Sequence, residues 1–336
     1  MTWAALALGA VCAAAVPAVA QSSEVCFDVE LRGGTSEICA DVHSNPAAPL
    51  GVTILAIHGF TETAATFKPL AQALFTDRLM RFVVKRVIAI DLPGHGDSEA
   101  PIGLPAGLFG TLTLQDNVSV VIQSIDTLRA KGLGARVILG HSMGGLAVQG
   151  TQEALLTQGS SLAAKGVLRA ILLAPVPALE VTWTQPPPSE LGAFVVSDEP
   201  ALGPYLDLPP EIALVGGGFT TTAGTIVSGA PTPAEMADYV GWEPLTTTLQ
   251  LVGQAQGLPR LSAREGAFAL WRGTVLSVVG FSEDVLTPAA DLDDLYRHLI
   301  GRPGLLYREI DEPEAVHGMF ISDPQAVVDV LKTLPF

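Results

Sequence analysis

The sequence predicts an α/β fold built on a largely parallel central sheet, and three observations lead there. Short apolar runs recur at 52–57, 86–90, 136–139, 168–173, 274–280 and 305–310, each closed by a turn-forming segment. Helix-length amphipathic stretches separate them, and strands that alternate with helices are joined by parallel crossovers with helices on both faces. In the middle of the pattern the β-branched run Val137-Ile138-Leu139 feeds directly into Gly140-His141-Ser142-Met143-Gly144-Gly145. A serine between glycines at a strand-to-helix turn is the pattern of a nucleophile elbow. The turn strains the serine backbone, and Gly140 and Gly144 make room for it.

Taken in order, residues 1–20 are almost wholly apolar and end in Ala18-Val19-Ala20 after Pro17, a small-residue cleavage pattern. They are expected to be a signal peptide removed before Gln21, although the terminal amine is their one positive charge. Cys26 and Cys39 are then the two cysteines of the mature chain. They fall in alternating runs at 25–31 and 36–42 around Arg32-Gly33-Gly34-Thr35, a hairpin pattern. Pairing Leu31 with Gly34 sets Cys26 opposite Cys39, Phe27 with Ile38 on the inward face, and Asp28 against Glu37. A disulfide between the cysteines suits an exported protein.

The run 52–57 is continuously apolar, as for a strand covered on both faces, and it ends in His58-Gly59-Phe60. A helix is predicted over 67–79. The strand 86–90 leads into the turn Asp91-Leu92-Pro93-Gly94-His95-Gly96-Asp97-Ser98. Apolar spacing at Leu114, Val118, Val121, Ile122, Ile125 and Leu128 predicts a helix over 112–130, capped near Thr113. The strand 136–139, the elbow and a helix over 144–156 come next. After 168–173 there is Ala174-Pro175-Val176-Pro177, then a stretch of different texture, 178–272, containing Pro186-Pro187-Pro188 and Gly216-Gly217-Gly218. So long a stretch cannot stay structureless within a compact domain, so it is expected to be an inserted cap or lid. The core is thus expected in two parts, 21–177 and 273–336. The second part holds a strand at 274–280, a helix at 289–300, a strand at 305–310 and a helix at 324–331.

Composition narrows the function. The net charge is −16, from 34 acidic and 18 basic residues without a basic cluster, which excludes nucleic acid and anionic lipid surfaces as partners. Hydrophobic residues make up 49% of the chain, yet no run after the N-terminus reaches the roughly 18 to 20 residues that span a bilayer, so no stable membrane anchor is expected. No Gly-x-x-x-x-Gly-Lys sequence and no His/Cys/Asp cluster with metal spacing occurs, so neither cofactor nor metal is expected. None of these patterns encodes an oligomeric state.

A serine hydroxyl needs a base to take its proton and a carboxylate to orient that base. Of the six histidines, His317 follows the last strand on the same sheet edge as Ser142, and it is the candidate base. His58 and His95 lie in glycine turns, and His141 points away from Ser142; these three are assigned structural roles. Asp284, beyond the strand 274–280, is the candidate acid, with Glu180 as the alternative and Glu283 on the opposite side of the chain. The backbone N–H groups of Phe60 and Met143 are the candidate oxyanion donors.

These residues, in the order Ser142, Asp284, His317 and with the turn at Asp91 to Ser98, give the stretch from Gly51 to Phe336 a pattern that resembles the α/β-hydrolase superfamily of lipases, esterases and lactonases. The resemblance implies a serine hydrolase of a small, hydrophobic carboxylic ester or lactone. It also implies a structural turn at Asp91 to Ser98 and a cap between Pro177 and Gly273. The expected acid limb of activity is that of a histidine, about 6 to 7. Two alternatives stay open: a small-peptide amidase, for which Glu180, Glu190, Glu199, Glu211, Glu235 or Glu243 would hold the substrate amine, and a ligand-binding member of the fold without turnover.

Overall fold

The structure is a computed structural model that describes residues 21–31, 34–59, 62–98, 114–176, 218–236, 239, 271, 273–290, 292–293 and 305–336. The signal-peptide stretch, Phe60, Glu180 and most of the predicted insertion, including Trp183 and Trp242, lie outside the described residues. No helix among the described residues is long and apolar enough to cross a membrane.

Among the described residues the sheet has eight strands: β1 (Gln21–Leu31), β2 (Gly34–Ser44), β3 (Val52–Ile57), β4 (Val84–Ile90), β5 (Val137–His141), β6 (Arg169–Leu173), β7 (Val275–Phe281) and β8 (Leu305–Ile310). Their order is β1-β2-β4-β3-β5-β6-β7-β8. From β4 to β8 every neighbouring pair is parallel, while β1 and β2 add an antiparallel edge. The order reverses direction between β3 and β5, which is where an open α/β sheet leaves a crevice at its carboxyl edge. That crevice is the end of β5, where Ser142 lies.

The hairpin keeps the predicted register: Cys26 faces Cys39, Phe27 faces Ile38 and Asp28 faces Glu37. Leu31 pairs with Gly34 as predicted, and Glu30 with Thr35 beside it. Cys26 and Cys39 form a disulfide across the two strands. Closing a loop of this length stabilises a fold by about 3 kcal/mol in the chain-entropy account, and here it ties the edge strand to its neighbour.

Strand residues alternate between two hydrophobic cores, one on each face. Leu55, Ile57, Ile88 and Ile90 join the core under α2 (Leu114–Ala130) and α3 (Met143–Thr157), whereas Ile54, Ala56, Val87 and Ala89 join the core under α1 (Lys68–Thr76). A strand covered on both faces gains from burial on every side chain, about 1.5 to 3 kcal/mol for each Val, Leu or Ile. This is why β3 reads as an unbroken apolar run. Trp271, at the end of the predicted insertion, is buried in the core under α2 and α3.

Helix α1 stops at Thr76, short of the predicted 79. Asp77 leaves the helix at φ −59° and ψ 142°, and its Oδ1 accepts the amides of Leu79 and Met80, so a short 3₁₀ turn replaces the last helical turn. Further along, described residues of the 178–272 stretch pack on the core rather than away from it. Phe219, Val227 and Met236, the last in the short helix α4 (Pro233–Met236), enter the core under α1. The chain closes with α5 (Met319–Ser322) and α6 (Pro324–Leu331), the latter capped by Asp323 accepting from the Ala326 amide.

Candidate active site

Ser142 joins β5 to α3 at φ 50° and ψ −118°, a conformation that costs a non-glycine residue about 1 to 3 kcal/mol. Hydrogen bonds over-determine it. Its N–H donates to Leu173 O at 3.0 Å, and its carbonyl accepts from Gly145, Leu146 and Val176. The glycines are required by space. A Cβ on Gly140 would lie 2.6 Å from Gly144 O, one on Gly144 2.2 Å from Ile57 O, and one on Gly145 2.6 Å from the Pro175 Cβ. Without those three side chains, α3 presses its first turn against the ends of β3 and β6. Met143 is the first residue of α3, so its amide is among the helix-start N–H groups that have no partner within the helix.

Asp284 and His317 meet beyond the ends of β7 and β8. His317 Nδ1 lies 2.7 Å from Asp284 Oδ2, and both side chains are buried. The remaining capacity of the carboxylate is filled: Oδ1 accepts the amides of Leu286 and Thr287, each at 2.8 Å, and Oδ2 also accepts from Thr287 Oγ1 at 2.7 Å. Thr287 Oγ1 also lies 3.1 Å from Ala174 O, so this hydroxyl connects the acid loop to the end of β6. With Asp284 as the acceptor, His317 carries its proton on Nδ1, leaving Nε2 free to accept. Burial opposes protonation of His317, but the charge and hydrogen bond of Asp284, and further off the charge of Glu62, outweigh it and hold the imidazole above its ordinary 6.5.

Glu62 is a site residue that the sequence alone did not reveal. Its carboxylate is buried behind the elbow, where Oε2 accepts the Gly59 amide at 2.6 Å and both oxygens face His141 Nδ1, at 3.0 and 3.1 Å. Its one sequence signal is an acid placed four residues after His58, next to an otherwise apolar strand. Burial raises the carboxyl group's pKa, but His141 and the Gly59 amide more than offset this and leave it below the usual carboxylate range. The opposite ring nitrogen of His141, Nε2, donates to the backbone carbonyl of His317 at 3.1 Å. His141 is therefore turned away from the serine, as expected, and it links the elbow to the main chain of His317.

His58, in one of the glycine turns, is held at both ring nitrogens. His58 Nε2 accepts the Leu92 amide at 3.0 Å and Nδ1 donates to Gly59 O at 2.7 Å, which fixes the neutral tautomer. Burial, followed by the nearby His95, pushes its pKa down to about 3. Asp91 accepts the amides of Ala64 and Asp97, and burial raises its pKa to about 6. Gly96, at φ 51°, closes over this carboxylate with no room for a Cβ.

Glu283 points away from His317 and ties down the 218–236 segment, accepting from the amide and hydroxyl of Thr222. The same segment holds the loop that carries His317. Gly218 O accepts the Gly318 amide at 2.7 Å, and Glu314 accepts from the amide and hydroxyl of Ser228. The sequence pattern placed these residues in a cap, whereas here they also buttress the loop that carries His317.

A family model described as the alpha/beta hydrolase family matches residues 54–330. Solved structures agree in fold. A bromoperoxidase from Bacillus anthracis aligns over 92% of this chain and 99% of its own, at 15% identity and a TM-score of 0.60. A Cif epoxide hydrolase from Acinetobacter nosocomialis aligns over 93% and 89%, at 18% identity and 0.57. A thioesterase domain from the curacin biosynthetic pathway aligns over 92% and 99%, at 16% identity and 0.52. No curated protein matches the chain in sequence. The family match supports a hydrolase of the α/β class, and the chain belongs to the alpha/beta hydrolase family.

Proposed function

We propose that the protein is an exported serine hydrolase of small, hydrophobic carboxylic esters or lactones, with Ser142 as nucleophile, His317 as base and Asp284 as acid. The observation that carries this is the buried 2.7 Å His317–Asp284 pair, tied through His141 to the elbow on which Ser142 sits. Export is supported by the N-terminal cleavage pattern and by the Cys26–Cys39 disulfide, a bond that persists in oxidising compartments.

In this mechanism Ser142 Oγ attacks the substrate carbonyl carbon as its proton passes to His317 Nε2. Asp284 steadies the imidazolium that results. The tetrahedral oxyanion is held by the amides of Met143 and Phe60, each such donor contributing about 3 to 4 kcal/mol to the transition state. The acyl–oxygen bond breaks, the His317 proton goes to the departing alkoxide, and an acyl-serine remains. Water then gives a proton to His317 and attacks the acyl carbon; collapse releases the acid and returns the proton to Ser142.

Glu235, one of the acids considered for holding a substrate amine, caps its own helix instead. Its Oε2 accepts from the Thr232 amide and hydroxyl, at 2.8 and 2.7 Å. That takes Glu235 out of the acids that could hold a substrate amine. The test compares nitrophenyl acetate, butyrate and longer esters with an aminoacyl nitroanilide, with Ser142→Ala as control. Ester turnover that disappears in Ser142→Ala is expected. Turnover surviving in that variant overturns the mechanism, nitroanilide preference makes the protein an amidase, and labelling without turnover makes it a binding protein.

A further inference from the structure

His141 is bonded at both ring nitrogens to groups that accept. Nε2 faces the His317 carbonyl, which cannot donate, so Nε2 carries a hydrogen. Nδ1 faces the Glu62 carboxylate, which already accepts the Gly59 amide. One proton is therefore shared between Glu62 and Nδ1. Both residues are buried, and a Cβ on Gly59 would lie 3.0 Å from both Glu62 Oε2 and His141 Nδ1, tighter than ordinary van der Waals contact, so the pair is closely packed. The imidazole rings of His141 and His317 are 4.6 Å apart between centroids, and Phe320 packs against His141 at 4.4 Å.

We propose that Glu62 and His141 are a positioning pair for the general base: a buried carboxylate and imidazolium that grip the His317 main chain and set its distance from the nucleophile. His141 directly precedes Ser142 in the chain, so its bond to the His317 carbonyl spans the site in one step. The alternative route from Ser142 to His317 runs through β6, β7 and β8, where small displacements add. Ionised, His141 makes a charge-assisted bond to that carbonyl, roughly twice as strong as a neutral imidazole would make. This role rests on the serine-hydrolase mechanism proposed above.

Glu62→Gln is the discriminating variant, because the amide keeps the shape of the carboxylate and a bond to each neighbour while removing the charge. Its oxygen takes the Gly59 amide and its NH₂ donates to His141 Nδ1, which must then be unprotonated. His141 keeps its Nε2–H as a neutral ring. The proposal expects kcat for nitrophenyl butyrate to fall about tenfold with KM and melting temperature unchanged. It further expects ¹⁵N NMR at pH 7 to find both His141 ring nitrogens protonated in the wild type and one in Glu62→Gln. In a His141→Phe background, which has already lost the grip on His317, Glu62→Gln should cost no further activity.

Wild-type kcat in Glu62→Gln, or a His141 that is singly protonated in the wild type, overturns the positioning pair and leaves the hydrolase mechanism standing. Failure of a fluorophosphonate to label Ser142 in the wild type overturns the mechanism itself, and the positioning role with it. The NMR result is read independently of turnover.

Discussion

Replacing Asp284 with asparagine separates charge from shape at the acid, and the hydrogen bonds around the carboxylate dictate how the amide must sit. Oδ1 receives two backbone amides, so the asparagine oxygen has to occupy that position. The NH₂ then faces Thr287 Oγ1 and His317 Nδ1, where Oδ2 now accepts. An NH₂ group only donates, so His317 must offer a lone pair at Nδ1 and move its proton to Nε2. In the proposed mechanism that nitrogen takes the proton of Ser142, so the variant should block it. The loss expected for a reversed tautomer is about 10⁴ in kcat, or about 5.5 kcal/mol, with little change in KM. The assay is nitrophenyl butyrate hydrolysis from pH 5 to 9, with melting temperature as a control for folding. In the wild type the rate is expected to rise with pH along a limb above the ordinary 6.5 of histidine, because Asp284 favours protonated His317 against the effect of burial. In Asp284→Asn the residual rate should have its limb at lower pH. A kcat within tenfold of wild type, with the limb unmoved, would refute the assignment of acid and base.

Gly144→Ala places a Cβ 2.2 Å from Ile57 O and 2.5 Å from His58 O, both main-chain atoms that cannot rotate away. It should cost more than the roughly 1 to 3 kcal/mol of ordinary overpacking, read as lost soluble protein or a large drop in urea midpoint; a near-native midpoint would contradict the close approach of α3 to β3. Gly318→Ala meets the Phe219 ring at 2.6 Å and should lower stability and activity together. Adding Phe219→Leu should restore part of both, and no coupling between the two positions would show that the 218–236 segment does not buttress His317. His58 is neutral in the fold with a pKa of about 3 against an ordinary 6.5, so the unfolded chain binds the extra proton as pH falls between those values. The stability advantage of wild type over His58→Gln should thus be full above pH 6.5 and shrink by up to about 1.4 kcal/mol per unit below it. Urea titrations that stay parallel from pH 7 to 4 would exclude a buried neutral His58.

The elements that could be read before folding were those whose signal is local. Apolar runs mark strands covered on both faces, and β8 and α6 have the predicted bounds because their periodicity and the cap at Asp323 lie within the same few residues. The hairpin register came from a single alternation, since a one-residue slip would have turned Phe27 and Ile38 outward. The end of α1 was missed because Asp77 competes for nearby amides, an outcome decided by where Lys332 and Gln325 also meet its side chain. Thr287 and Glu62 were missed for a stronger reason. Each looks like an ordinary polar residue in a turn, and each gains its role only from a partner far along the chain: Ala174 O for Thr287, and His141 for Glu62.

Local sequence was enough to order the candidate groups: Ser142 between glycines that leave it room, then Asp284, then His317, each just beyond a strand of one parallel sheet. Strand direction suffices for this, because parallel strands deliver their carboxyl ends to one edge. How those groups are held was settled by the folded chain. The second buried acid–imidazole pair behind the elbow depends on contacts between residues 79 and 176 positions apart, as does the clasp of Gly218 on Gly318 over 100. Separations of that size leave no periodic trace in a chain. They become readable only when burial removes water and leaves each polar group a single partner.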